Sequence, residues 1–185
     1  MSESALRWLL WQILLWGALP LWILAGFVDW LRHRHSRISL TSGTPEAAMH
    51  VVAYLLTAVP VLLGLYFEID ALVLVVMAGC VVVHLLLGWI DTGYTHPRRT
   101  IGAVEQAVHP FLELLPVFAL AIVAALSADA WLTPEWTLRA RAEPLPRAVL
   151  IGVTLALVPG LVLMTEELAR CWRKWGHSPF PGNGE

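Results

Sequence analysis

The chain has 185 residues, of which 58% are hydrophobic and only 14% charged, and its formal net charge is −2. Soluble domains run at about a quarter charged residues, so an ordinary soluble domain is excluded and an all-α integral membrane protein is expected. The small net charge says little about partners.

Runs of about 20 apolar residues can cross a bilayer, and five occur, at 8–28, 47–67, 71–90, 101–126 and 148–168. The first is too long for a signal peptide and lacks a small-residue cleavage site. The second and third are joined by a short turn near FEID, expected on the outer side. The stretch 128–147 contains Pro134, Pro144 and Pro146, which argue against a continuous helix there. Its Trp131, Trp136 and Leu138 suit an interfacial position. The fifth span, 148–170, is followed by a tail, 171–185, whose last part (GHSPFPGNGE) reads as disordered and carries His177.

Cationic residues orient the spans. Arg32, Arg34, Arg37, Arg98, Arg99, Arg170, Arg173 and Lys174 fall on one side, and Arg7, Arg139, Arg141 and Arg147 on the other. The positive-inside rule then places the N-terminus outside and the C-terminus in the cytoplasm, the arrangement of a bacterial inner-membrane protein. Trp8, Trp11, Trp131 and Trp136 near one face, and Trp30, Trp89, Trp172 and Trp175 near the other, fit the same frame. Cys80 and Cys171 form no spacing pattern, and a disulfide between them is not expected.

The segments GFVDWLRHRHSRISLTSGTPEAAMH and GWIDTGYTHPRRTIGAVEQAVH say nearly the same thing. Asp29 matches Asp91, His35 matches His96, Arg37 matches Arg98, Glu46 matches Glu105 and His50 matches His109. The first four spans therefore read as two tandem helix-hairpin-helix repeats, about 8–67 and 71–127, forming a four-helix bundle with one extra helix. Both units have the same topology, so the repeats are parallel.

Glu46 and His50 stand four apart, as do Glu105 and His109, which puts each pair on one helix face. Asp29 and Asp91 are expected at the ends of their helices, where the macrodipole disfavours an anion unless a cation is bound. His35 and His96 are expected to fold back from the hairpins. Four carboxylates gathered near a membrane raise one another's pKa and cost insertion energy, and divalent cations offset both.

The ligands expected are Asp29, His35, Glu46, His50, Asp91, His96, Glu105 and His109, with His84 as an extra one. His33 reads as hairpin surface, and Glu166 and Glu167 as a solvated interfacial pair that could close the site. Glu113 and Tyr54 occupy matching places one turn deeper and are candidates for a catalytic role. Arg37 and Arg98 are candidates for headgroup or supporting contacts. Bland readings exist for each residue: Thr44 and Pro45 could cap a helix whose first turn holds Glu46. They do not account for the same residue types recurring in the same order.

No paired thiolates are present, so the set is a mixed nitrogen and oxygen one that suits iron, manganese or zinc. In ligand chemistry it looks like the dinuclear carboxylate sites of helical-bundle oxygenases, although their Glu-x-x-His spacing is here Glu-x-x-x-His. The resemblance implies two metal ions, with iron first, and an oxidoreductase acting on a lipid-soluble substrate with an electron donor as partner. A zinc or manganese hydrolase of a lipid or phosphoester is the first alternative, with Arg37, Arg98 and Arg99 clamping phosphate. A non-enzymatic metal transporter, store or sensor is the second. The bilayer is the expected partner and nucleic acid is not.

Overall fold

A computed structural model describes residues 2–175. The tail expected to be disordered, with His177, lies outside the described residues. The described chain is helical, and five helices are long and apolar enough to cross a membrane. They are α1 (Glu3–Ser36), α2 (Gly43–Tyr66), α3 (Ala71–Thr95), α4 (Ala103–Leu126) and α5 (Arg147–Trp175). Their flanks expose large apolar side chains, consistent with helices that cross a membrane. Trp16 is 76% exposed, Ile90 62% and Leu114 61%, far beyond isolated surface residues on a water-soluble bundle.

Local chemistry sets the ends. Ser2 accepts a hydrogen bond from the amide of Ala5 at the start of α1, and Asp70 does the same for Val73 at the start of α3. Arg37 ends α1 in the left-handed conformation, with φ of 53°. Pro60, Pro110, Pro116 and Pro159 lie inside helices, which neighbouring helices tolerate in a membrane setting.

Two helices run further than expected. Nothing between Asp29 and Ser36 breaks a helix, so α1 continues two turns past Asp29. Asp91 likewise lies a full turn inside α3. Neither aspartate therefore ends its helix, and the unfavourable macrodipole expected at both positions is absent. Thr44 is no cap either, because α2 already starts at Gly43.

The helix α1 packs on α4 and α5, α2 packs on α3 and α5, and α3 packs on α4. The fifth helix thus touches both halves of the first repeat unit read in the sequence. On the side opposite the α1–α2 and α3–α4 turns, the long loop folds back onto the α2–α3 turn. Phe67 pairs with Ala140, the Glu68 amide donates to the Arg139 carbonyl at 2.9 Å, and Arg141 reaches the Gly64 carbonyl at 2.9 Å. At the other end Ile38, fully buried in a single 3₁₀ turn, packs with Ala47, Leu168 and Cys171. Tyr54 of α2 lies along α5: its hydroxyl donates to the Leu157 carbonyl, and its ring occupies the space a side chain at Gly160 would need.

Candidate metal centre

The ends of all five helices on the side of the α1–α2 and α3–α4 turns converge. Each of the first four contributes a pair four residues apart: Asp29 and His33, Glu46 and His50, Asp91 and Thr95, Glu105 and His109. That spacing aims both members of a pair from one face. The fifth helix adds Glu167. Its buried stripe runs Val153, Leu157, Met164, Cys171, and Glu167 lies on the same face, fully buried.

Two contacts between the halves correspond. His109 Nε2 lies 3.3 Å from Asp29 Oδ1, and His50 Nε2 lies 3.4 Å from Asp91 Oδ2. Between them stands His33, wholly buried. Its Nε2 is 3.3 Å from Glu105 Oε1 and 3.6 Å from Asp29 Oδ2, and its Nδ1 is 3.4 Å from Glu167 Oε2. The His33 ring stacks on that of His50, with centroids 4.5 Å apart and planes 8° from parallel. Glu167 Oε1 is 2.7 Å from His50 Nδ1, so one carboxylate touches two histidines.

Arg99, from the α3–α4 turn, bridges the two first-turn glutamates. It donates to Glu46 through Nε and Nη2 and to Glu105 through Nη1 at 2.9 Å and also through Nη2. Ser42 donates to Glu46 Oε2, which also lies 3.4 Å from Arg99 Nε. Burial on its own would lower the pKa of the Arg99 guanidinium. The hydrogen bonds from Glu105 and Glu46 more than reverse this, so it is raised above its ordinary value and the group stays charged.

The electrostatic balance is uneven. Asp29, Glu46, Asp91, Glu105 and Glu167 are buried carboxylates, and Arg99 is their close guanidinium, with Arg170 a further 3.8 Å from Glu167. Buried charges require compensation. In addition, Asp29 Oδ1, Glu167 Oε2 and both ring nitrogens of His33 are buried without a well-formed hydrogen bond, although His33 Nδ1 lies 3.4 Å from Glu167 Oε2, His33 Nε2 3.3 Å from Glu105 Oε1, and Asp29 Oδ1 3.3 Å from His109 Nε2. Buried polar atoms are normally paired. Atoms that converge without bonding stand as ligands do around a cation. Asp29, His33, Glu105 and His109 each offer one atom, all within 4.8 Å of one another, and His33, Glu46 and His50 do likewise. These buried groups could hold a metal ion.

Of the residues singled out in the sequence, Asp29, Glu46, His50, Asp91, Glu105 and His109 come together here. Others stay outside. His35 is exposed, and its Nδ1 is 2.8 Å from the Leu31 carbonyl. His96 is exposed at the end of α3. The reason is the extra length of α1, which turns His33 inward and His35 outward. Both nitrogens of His84 lie 3.2 Å from carbonyls, those of Ala53 and Leu112, so neither is directed to the cluster. Glu113 packs against Gly88, and Tyr54 is held on α5 with its ring stacked on Trp22 at 5.5 Å. Neither belongs to the groups within ligand distance. Arg98 lies over the Tyr94 ring at 3.8 Å, and the Tyr94 hydroxyl donates to the Ser42 carbonyl, so Arg98 supports the α2 entrance from outside. Arg37 is exposed.

Sequence reasoning missed His33, Glu167 and the inward role of Arg99. His33 was detectable, because it repeats toward Asp29 the four-residue spacing of Glu46 and His50. Removing it gives a direct contrast: His33→Ala is expected to abolish metal retention, whereas His35→Ala and His96→Ala keep it at the wild-type level, as read by elemental analysis of the purified variants. No family model, no curated protein sequence and no solved structure matches the chain, so the geometry of this centre is what speaks for its function.

Proposed function

We propose that the protein is an integral-membrane oxidoreductase with a dinuclear metal centre, most fittingly diiron, that acts on a lipid-soluble substrate near the cytoplasmic face. The observation that carries this reading is a cavity of about 780 Å³ between α1, α2 and α5. Its walls are almost wholly apolar, and Asp29 and His50 stand among its lining residues. A pocket of that size buries a small organic ligand well. An apolar chamber ending on buried imidazole and carboxylate groups fits a hydrophobic substrate better than an ion in transit.

The donor set supports the metals. Asp29, His33, Glu105 and His109 would hold one ion, and Glu46, His50, Asp91 and Glu167 the other. Two divalent cations would answer most of the surplus negative charge. Nitrogen and carboxylate donors without thiolate suit iron or manganese in an oxygen-rich site. Bound there, the ions would supply the electron transfer to dioxygen that carbon and oxygen side chains cannot. The overall reaction balances when dioxygen takes two electrons and two protons from a donor and delivers one oxygen atom to the substrate and one to water. The protein's own part is to orient the substrate and exclude water. The eight Arg and Lys residues at the inner helix ends support the cytoplasmic placement. The two corresponding His–Asp contacts support a duplicated origin. The hydrolase alternative loses ground because Arg99, needed as a phosphate clamp, is committed to Glu46 and Glu105.

Elemental analysis of protein purified in mild detergent, without added metal, tests the reading. Two equivalents of iron per chain are expected, with both lost in Glu46→Ala and Glu105→Ala. Zinc in place of iron, or no bound metal, would overturn it.

A further inference from the structure

The two halves of the cluster are not copies of each other. Four residues after the matched Asp29 and Asp91, the first unit has His33 and the second has Thr95. Both are buried, His33 at 0% and Thr95 at 2% exposed. His33 brings Nε2 to 3.6 Å from Asp29 and 3.3 Å from Glu105. Thr95 brings a hydroxyl that donates to Asp91 Oδ1 at 3.4 Å. An imidazole can offer a metal its lone pair, whereas this hydroxyl spends its proton on the aspartate it faces.

The helix α5 adds a second asymmetry, because it stands outside the matched segments. Its Glu167 places Oε1 2.7 Å from His50 Nδ1 and Oε2 3.4 Å from His33 Nδ1. The two proposed ion positions therefore differ in donors. Asp29, His33, Glu105 and His109 make one with two nitrogens and two carboxylates. Glu46, His50, Asp91 and Glu167 make the other with one nitrogen and three carboxylates. They also differ in readiness. All four donors of the first already lie within 4.8 Å of one another, whereas the other group that close is His33, Glu46 and His50, which borrows a member of the first. Asp29 Oδ1 and both nitrogens of His33 are buried there without a well-formed hydrogen bond.

We infer that the two positions are chemically unlike: the one around His33 fills first and selects iron, and the one around Glu167 fills second and also accepts manganese. This rests on the proposed dinuclear reading and deepens it by naming the ion that each half takes. Affinity rises from manganese to iron, imidazole suits iron, and carboxylate suits manganese. The order follows from packing. The His33 ring stacks on His50 with centroids 4.5 Å apart, so a His33 held by an ion fixes the one histidine of the second position. The loss of all metal expected of His33→Ala is then a loss of the first step on which the second depends.

Mössbauer spectroscopy tests the inference on the full chain in mild detergent, stripped by chelation and kept free of oxygen. One equivalent of Mössbauer-active ferrous iron is added, then one of silent iron, and a second sample receives them in reverse order. The first equivalent is expected to bind about tenfold tighter than the second, so a different quadrupole doublet dominates each sample. One-iron protein offered manganese is expected to take up one manganese and release no iron, as read by elemental analysis. Glu167→Gln should keep the first doublet and lose the second equivalent of either metal. The same spectrum in either order, manganese displacing the first iron, or a Glu167→Gln protein that keeps only the second doublet would overturn the inference, while two bound equivalents would leave the dinuclear reading standing. Failure of wild type to bind two equivalents under any loading would sink that reading itself.

Discussion

Arg99→Met is expected to destabilise the metal-free protein by about 3–5 kcal/mol, the range seen when one partner of a buried ion pair is removed. The Arg99 side chain is 4% exposed and hydrogen-bonds both Glu46 and Glu105, themselves almost wholly buried. Methionine keeps much of the volume and none of the charge. The two carboxylates then lose the cation they share, leaving Glu46 with the Ser42 hydroxyl and Glu105 with the His33 ring. Thermal unfolding in detergent, after chelation, measures the loss. Arg99→Lys should fall between, since an ammonium cannot fork to two carboxylates as a guanidinium does. The double variant Arg99→Met with Glu46→Gln should recover part of the stability, because it removes one of the orphaned charges. A wild-type midpoint for Arg99→Met would show that Arg99 is not the counter-ion of the pair.

Glu167→Gln has a different signature. Glu167 touches His33 and His50 and is the only carboxylate that α5 brings to the cluster among the described residues. The expected iron content falls from two equivalents to one or fewer, while the metal-free protein unfolds no earlier than wild type. Stability is preserved because the substitution removes charge from a cluster that already has too much of one sign. A merely structural Glu167 would give the reverse, a lower unfolding midpoint with metal retained. Glu166→Gln is the control. Glu166 faces Trp30, Arg34 and Arg170 at the surface, and its loss should leave the iron in place.

The spans were legible because bilayer thickness imposes a length and composition that few other constraints mimic. Six of the clustered residues were legible because the sequence carries the same residue types twice in the same order. What failed was the boundary of α1. A run as tolerant as DWLRHRHS holds no local stop signal, so the helix continues until Arg37 takes a positive φ. That extension exchanges His33 for His35. Glu167 was hidden for another reason. An acidic pair at a helix end is indistinguishable from solvated charge until the packing of α5 shows which member continues the buried stripe. Arg99, which the sequence offers as part of a phosphate clamp, turns inward to Glu46 and Glu105, and the sequence says nothing of the direction in which a turn folds.

The buried 3₁₀ turn at Ile38 has one more implication. With Ile38 packed against Ala47 and Cys171, His33, Glu46 and Glu105 are each no more than 2% exposed, beneath the α1–α2 turn. The cavity that Asp29 and His50 line is an apolar one. What meets Asp29 and His50 is then filtered by how readily it dissolves in hydrocarbon. Hydrophilic competitors abundant in the cell never form a queue, and a modest intrinsic affinity suffices for a guest already concentrated in the bilayer.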